Sequence, residues 1–339
     1  MRLVAYGYAM TPPASAKPRR AAVVYNPIKV DVERVRAAVA SAESEHGWAK
    51  SMWLETSEGD PGCGLGRQAV EERVDVVIAA GGDGTVRAVG EALRGSGVPI
   101  SLLPAGTGNL LARNLNLDVS AAHLEASVMT AFTGYDTAID VGVVEIDRED
   151  GSSEEHAFLV MAGIGLDAKM IANTDPALKK RVGWLAYVDA IARALVDKEV
   201  LRVRYRLDGG EERMTRAHTL LVGNCGALPG NILLLPDAEV DDGLFDIVAL
   251  RPEGIGGWAR VWVGIFWENG VLKRSSAGRK LLGLRQKPVR ALRYLRGRRF
   301  DVSLDRPEDF ELDGDEFGMI TGFRARVDPA ALVVRMPRE

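Results

Sequence analysis

The sequence GGDGT at residues 81–85 constrains the fold more than any other feature of the chain, because it stands between an apolar run and a segment of helical periodicity. The apolar run, residues 74–80, is typical of a strand buried on both faces of a sheet. A strand that ends at glycines and turns into a helix leaves unpaired backbone N–H groups directed at one spot, which the positive end of the helix dipole also faces. The motif therefore predicts a phosphate-binding loop.

Asp83 is the unusual member of this motif. A carboxylate in a phosphate site repels the ligand unless it binds a metal, orients a hydroxyl group or forms a salt bridge. That conflict favours a ligand site over a plain turn.

A second glycine-rich loop, PAGTGN at residues 104–109, follows the next predicted strand. A single loop of this kind is as often a simple turn as a site. In a parallel sheet, ligands bind outside the carboxyl ends of the strands, so two such loops after successive strands would line one cleft.

Strands and helices alternate in the first part of the chain, which predicts an α/β domain with a doubly wound parallel sheet. After residue 138, short strands predominate and predict an antiparallel β-sandwich. The predicted strands are residues 21–25, 52–56, 74–80, 99–103, 139–146, 156–161, 200–207, 214–222 and 245–250, with more from 310 to 337. The predicted helices are residues 31–45, 64–73, 86–94, one from 110, one at 176–195 and an aromatic-rich one at 258–267.

A chain of 339 residues exceeds one ordinary hydrophobic core, so two domains are expected. The predicted division is a flexible leader at 1–19, an α/β domain at 20–137 and a β-rich domain at 138–325. The last of these carries a basic insertion at 258–300.

Composition excludes several classes of protein. The net charge of −4 gives no general reason to expect nucleic-acid binding. Cys63 and Cys225 stand far apart and support neither a disulfide framework nor a zinc site. No apolar stretch has the length of a membrane span, and the first residues make a poor signal peptide, which predicts a cytoplasmic location.

The basic tract at residues 273–299 contains no acidic residue and follows an aromatic segment at 258–267. It is either a solvated charged face or a surface that docks on anionic lipid, with the tryptophans near the headgroups. No nucleic-acid-binding motif accompanies it. The second interpretation predicts peripheral association with a membrane.

Several motifs occur in a fixed order: Asn26-Pro27, Thr56 with Gly59-Asp60, GGDGT, PAGTGN, and the segments 163–168, 236–244 and 313–315. This set resembles the diacylglycerol kinase catalytic-domain family, which includes soluble bacterial lipid kinases and sphingosine kinases. The resemblance covers nearly the whole chain from residue 21. It implies that the α/β domain at 20–137, joined by 326–339, binds ATP like the nucleotide domain of NAD kinases and phosphofructokinases. It also implies that the β-rich domain at 138–325 is a β-sandwich for the lipid substrate, with the active site in the cleft between the two domains.

The resemblance implies ATP and Mg²⁺ as cofactors, and it assigns roles by position. The implied ATP-binding residues are Asn26, Thr56, Gly81, Gly82, Asp83, Gly84, Thr85, Gly106, Thr107 and Asn109. A structural Mg²⁺ would be bound by the Asp242 side chain and by the backbone of Glu239 and Leu244, and Asp83 would be a ligand of the ATP-bound Mg²⁺. The family's Asp-Gly-Glu motif, which supplies a general base and its support, matches Asp313 and Asp315 without deciding which is the base.

The chain departs from the family pattern at several positions. Lys29-Val30 replaces Ser-Gly after Asn26, and Lys29 would supply charge instead. Arg87-Ala88 replaces Asn-Glu, and Arg87 would either contact phosphate or lie on a solvated helix face. Leu110 replaces an aspartate, and Asp315 replaces a glutamate.

The expected function is that of an ATP- and Mg²⁺-dependent lipid kinase, with diacylglycerol as the first choice of acceptor and phosphatidic acid as the product. The alternatives are a sphingoid-base or other lipid kinase and a catalytically silent lipid-binding regulator. NAD kinases share GGDGT, but the other motifs fit lipid kinases better. The expected partners are a membrane lipid and an anionic membrane surface, with no nucleic acid, and pairing of sheet edges would give a homodimer.

Overall fold

The computed structural model describes residues 17–165, 200–228, 232–235, 237–251 and 292–338. Two predicted helices, at 176–195 and 258–267, lie outside these residues. So do most of the predicted leader and the basic tract as far as residue 291.

The first part of the chain is a parallel sheet with helical connections. Four strands pair in parallel in the order β4-β3-β1-β2, namely β1 (Ala21–Tyr25), β2 (Met52–Glu55), β3 (Val76–Gly81) and β4 (Ile100–Pro104). The helices are α1 (Val32–His46), α2 (Cys63–Glu71), α3 (Asp83–Leu93), α4 (Leu110–Asn114) and α5 (Leu124–Thr133), with a 3-10 turn at Ala121–His123. The predicted parallel α/β fold is confirmed.

Local sequence explains these elements. All residues of β1 and β3 are buried, as the apolar runs predict for central strands. The Asp31 side chain accepts the Arg34 N–H and so caps α1, which ends at Gly47 with φ 68°. Gly82 is the N-cap of α3, and the helix therefore begins three residues before the predicted start at residue 86.

The second part is antiparallel and begins with β5 (Tyr135–Asp147), β6 (Ser153–Phe158) and β7 (Met161–Ile164). Further along are β8 (Leu201–Leu207), β9 (Arg213–Ala217), β10 (Thr219–Gly223), β11 (Ala227–Leu228), β12 (Ile232–Leu233) and β13 (Phe245–Leu250). The last strands are β14 (Leu292–Gly297), β15 (Arg299–Leu312) and β16 (Asp315–Met336). The antiparallel order is β14-β13-β10-β7-β15-β16. The hydrophobic core of this part is rich in phenylalanine and includes Phe158, Phe245, Phe300, Phe310 and Phe323.

Strand β16 joins the two parts. Near its end it pairs in parallel with β4 through Val334 and Ile100, so strands of both parts form one mixed 14-stranded sheet, and of the described strands only β11 and β12 pair separately. Its pairing with β5 shifts register between Asp328 and Leu332, where the Ala330 N–H donates to the buried Asp140 carboxylate. The domain limits drawn from the sequence remain a prediction.

Two predicted strands are wrong in extent, because each is divided in the structure. The segment at 214–222 breaks at His218 into β9 and β10, and the segment at 156–161 breaks at Leu159-Val160 into β6 and β7. The second break has a chemical cause at the site described below.

Cys63 and Cys225 are both free. None of the helices in the described part of the chain has the length and apolar composition needed to cross a bilayer.

Candidate active site

The two glycine-rich loops meet at backbone distance. A Cβ at residue 106 would lie 2.8 Å from the Gly82 Cα, and one at residue 81 would lie 2.7 Å from the Thr85 Oγ1. The first distance separates the two loops and the second lies within GGDGT. Because real Cβ atoms are essentially never found at such distances, both positions require glycine. The structure thus brings GGDGT and PAGTGN together at the carboxyl ends of β3 and β4.

Asp83 binds the second loop. Its Oδ2 accepts the Asn109 N–H at 2.9 Å and its Oδ1 accepts the Leu110 N–H at 2.5 Å. Burial raises the pKa of Asp83, while the two amide bonds oppose the shift. The carboxylate therefore holds the second loop against the start of α3, and its interpretation as a ligand of ATP-bound Mg²⁺ stays a prediction.

Asn109 fixes the shape of the PAGTGN loop. Its Oδ1 accepts the Gly106 N–H and its Nδ2 donates to the Gly106 carbonyl, both at 2.9 Å. The residue adopts the left-handed conformation, with φ 48°, which asparagine tolerates better than most residues. Thr107 is consequently exposed at the tip of the loop.

Asn26 and Thr56 lie at the same edge of the sheet. The Asn26 N–H donates to the Ala80 carbonyl and the Thr56 N–H donates to the Tyr25 carbonyl, each at 2.9 Å. The Asn26 side chain accepts the Ile28 N–H at 3.0 Å and turns the following residues toward the glycine loops. Lys29 ends this turn, and its Nζ lies 2.9 Å from the position that a Cβ on Gly82 would take.

Asp313 is the buried member of the acid pair, with 4% of its surface exposed. Its carboxylate accepts the N–H groups of Leu159 at 2.8 Å and of Val160 and Met161 at 2.9 Å. Burial raises the pKa of Asp313 to about 6, although the three amides oppose the shift. In a continuous strand these N–H groups would be free to pair with a neighbouring strand. Because they donate to Asp313 instead, the strand is interrupted between β6 and β7.

Asp315 lies differently, although it is only two residues away. Its side chain is 43% exposed, and its Oδ2 lies 2.7 Å from the position of a Cβ on Gly84. Asp315 begins β16, whereas Gly84 belongs to the first turn of α3. The antiparallel part of the fold thus presents an accessible carboxylate to the glycine-rich loop.

Arg87 is a residue whose surroundings the sequence analysis misjudged. The solvated helix face expected as one alternative is wrong, because Arg87 is 7% exposed. Its guanidinium faces Asp315, which is 228 residues away along the chain. The signal available in the sequence was the replacement of the usual Asn-Glu by Arg87-Ala88.

The carboxylate predicted to bind a structural Mg²⁺, that of Asp242, has protein partners in this arrangement. Asp242 accepts the Leu244 N–H with Oδ1 at 2.9 Å and contacts the Arg296 guanidinium with Oδ2. Arg296 also donates to the Asp237 carbonyl at 2.9 Å, and in the described segments no three His, Cys, Asp or Glu side chains form a metal-binding group. An ion at Asp242 would have to displace Arg296. The structural Mg²⁺ with Glu239 and Leu244 remains a prediction.

Two family models match the chain in order. The diacylglycerol kinase catalytic domain matches residues 20–144, and the YegS C-terminal NAD kinase beta sandwich-like domain matches residues 159–260. The first match covers the parallel part of the fold and most of β5, and the second covers the described strands from β7 to β13.

Individual proteins are similar over differing lengths. A probable lipid kinase, YegS-like, of Pseudomonas fluorescens is 33% identical over 315 residues, which is 91% of this chain and 92% of that protein. A diacylglycerol kinase of Mycobacterium tuberculosis is 29% identical over 198 residues, and the match spans only 62% of its length. A solved structure, a putative diacylglycerol kinase from Bacillus anthracis, superposes with a TM-score of 0.69 at 19% identity over 96% of this chain and 98% of that chain, which shows a shared fold.

These findings confirm the resemblance and the fold class predicted from the motifs. The matching family models and the relative that is 33% identical over nearly its whole length establish that the chain belongs to the diacylglycerol kinase catalytic-domain family.

Proposed function

We propose that this protein is an ATP- and Mg²⁺-dependent lipid kinase that transfers the γ-phosphoryl group of ATP to a lipid hydroxyl, with diacylglycerol as acceptor and phosphatidic acid as product. The observation that supports this most directly is the position of Asp315 beside Gly84. A carboxylate at the edge of a phosphate-binding loop is the group that phosphoryl transfer to an alcohol requires.

In the proposed reaction, the lipid hydroxyl oxygen attacks the γ-phosphorus of ATP, the hydroxyl proton passes to a carboxylate, and ADP leaves with the bridging oxygen. We assign the carboxylate role to Asp315, because its side chain is accessible. Asp313 is buried, accepts three backbone N–H groups and instead holds the segment Leu159–Met161 in place.

The loops at residues 81–85 and 104–109 would hold the phosphates of ATP through backbone N–H groups, assisted by the charge of Lys29. Bound Mg²⁺ would supply neutralisation of charge on the β- and γ-phosphates. Asp83 fits an indirect role toward this ion: each carboxylate oxygen accepts one backbone N–H, and a second lone pair on each can accept a water molecule.

The acceptor is the part of the proposal that needs a direct experiment, because the relatives include both diacylglycerol kinases and YegS-like lipid kinases. Purified protein with Mg²⁺ and γ-labelled ATP is offered mixed micelles with diacylglycerol, sphingosine, ceramide or no lipid, and NAD as a parallel acceptor. We expect label in phosphatidic acid. Label in another lipid would move the assignment to that acceptor, and ATP binding with no label in any acceptor would favour a silent lipid-binding regulator.

We also propose that the protein works at an anionic membrane surface, to which the basic tract at 273–299 would bind. Within its described end, the Arg298 and Arg299 side chains are exposed. Co-sedimentation with vesicles, with and without anionic lipid and at low and high salt, tests this idea. Binding that ignores both lipid charge and salt would refute it, and light scattering on the same preparation would test the predicted homodimer.

A further inference from the structure

Arg87 lies on α3, three residues after Gly84, and its side chain is directed into the protein. Only 7% of the residue is exposed. A guanidinium stays charged at any pH a folded protein meets, and burying it is costly unless it is paired and hydrogen-bonded. The partners of Arg87 should therefore explain its place.

Three partners surround the guanidinium. Nε and Nη2 both lie 3.4 Å from the Asp315 Oδ2, and Nη1 lies 3.3 Å from the Glu91 Oε2. The Phe317 ring lies under the group, with its centroid 4.7 Å from the Arg87 Cζ. Contacts on two edges and one face fix both the position and the plane of the guanidinium.

The same cluster reaches β6, which leads into the segment that Asp313 binds. Glu91 Oε2, besides pairing with Arg87, accepts the Ala157 N–H at 3.1 Å. The charge of Arg87 also acts on Asp313, where it is one of the effects that oppose the rise in pKa. One buried cation thus links α3, β6 and the start of β16 behind the acid pair.

Asp315 needs such a partner. It follows Gly314, whose φ is 89°, and its side chain is 43% exposed, so on its own it would be free to turn between staggered rotamers in water. Arg87 favours the rotamer that places Oδ2 at Gly84. A reacting group that is misplaced by about 1 Å can lose on the order of 100-fold in rate.

We propose that Arg87 is a positioning residue that holds the Asp315 carboxylate toward the glycine-rich loop in the geometry for accepting a proton. The inference rests on the proposed function, in which Asp315 is the general base. It assigns Arg87 no contact with ATP.

The test is a double-mutant cycle in the lipid phosphorylation assay, with Arg87→Met, Arg87→Lys, Asp315→Asn and the combinations. Arg94→Met is the matched control, because Arg94 ends the same helix and pairs with Glu155 and Asp328. Thermal unfolding checks that each variant is folded. If Arg87→Met does not fold, the double-mutant cycle is measured with Arg87→Lys. Lysine keeps the charge but loses the contact that Nε and Nη2 together make with Asp315.

We expect the Arg87 variants to lower kcat by roughly 10- to 100-fold while KM for ATP and lipid changes less than about twofold. In the Asp315→Asn background the same changes should alter the residual kcat by less than about twofold. Arg94→Met should behave like the wild type.

Equal losses of kcat in the wild-type and Asp315→Asn backgrounds would overturn the inference, and so would a raised KM for ATP at unchanged kcat. Either result would leave the kinase assignment intact. A wild-type protein that phosphorylates no acceptor would overturn the proposed function and the inference together.

Discussion

The Asp83 carboxylate accepts the backbone N–H of Leu110 at 2.5 Å and thereby joins the first glycine-rich loop to the start of α4. The second oxygen accepts the neighbouring Asn109 N–H, so each oxygen serves one amide of the same turn. The geometry of both loops therefore depends on one side chain from the GGDGT motif.

Asp83→Asn should destabilise the protein even without ATP or Mg²⁺. The amide nitrogen of asparagine would face a backbone N–H, and a buried donor without an acceptor costs about 1–3 kcal/mol. Chemical denaturation of the ligand-free protein measures the loss, with the exposed Glu45→Gln as control. If Asp83 acted only as a metal ligand, the ligand-free variant would be as stable as the wild type.

Lys29→Met should weaken ATP binding more than it affects turnover. The Lys29 Nζ lies above Gly82, where a phosphate would meet the loop. One charge-assisted contact is worth about 1.5 kcal/mol, so we expect KM for ATP to rise roughly tenfold. Lys50→Met, at an exposed position, is the control. An unchanged KM for ATP would remove Lys29 from the phosphate site.

Asp313→Asn should destabilise the fold by an amount that depends on pH. The pKa of Asp313 is raised from 3.8 to about 6, so between these values the folded protein binds more protons than the unfolded one. The contribution of this group to the unfolding free energy therefore falls as pH rises toward 6 and is constant above. Asparagine does not titrate. The difference in unfolding free energy between the wild type and Asp313→Asn should therefore narrow by about 1 kcal/mol between pH 5 and pH 7.5. A deficit that stays constant over this range would show that the folded pKa is not raised.

Mg²⁺ at Asp242 would compete with Arg296, which contacts the same carboxylate. Without ATP, Mg²⁺ should raise the Tm of Arg296→Gln more than that of the wild type, because the variant leaves Asp242 available. Arg298→Gln, two residues along the same basic tract, is the control. Equal Tm shifts in the wild type and Arg296→Gln would show that Arg296 does not occupy the metal position.

The sequence predicts most of the parallel part of the fold because its signals are local. Asp31 and Gly82 are the N-caps of α1 and α3, and each lies directly before the helix whose start it determines. The break between β6 and β7 could not be predicted, because it depends on Asp313, which is 154 residues from Leu159 along the chain.

The candidate site shows the same limit. Motif order located both acids, but not which of them is accessible. Asp313 and Asp315 are two residues apart and differ because one side chain is directed into the core and the other toward Gly84. The burial of Arg87 depends in the same way on a long-range contact, and helical periodicity could not reveal it.

The most direct test of the account measures phosphoryl transfer from ATP to diacylglycerol by the wild type, Asp315→Asn and Asp313→Asn, together with ATP affinity. We expect Asp315→Asn to bind ATP like the wild type and to lose at least about 100-fold in kcat, as removal of a general base predicts. Asp313→Asn should mainly reduce the stability of the fold. Under conditions in which this variant is folded, it should keep more activity than Asp315→Asn. A fully active Asp315→Asn would contradict the assignment of Asp315 as the base.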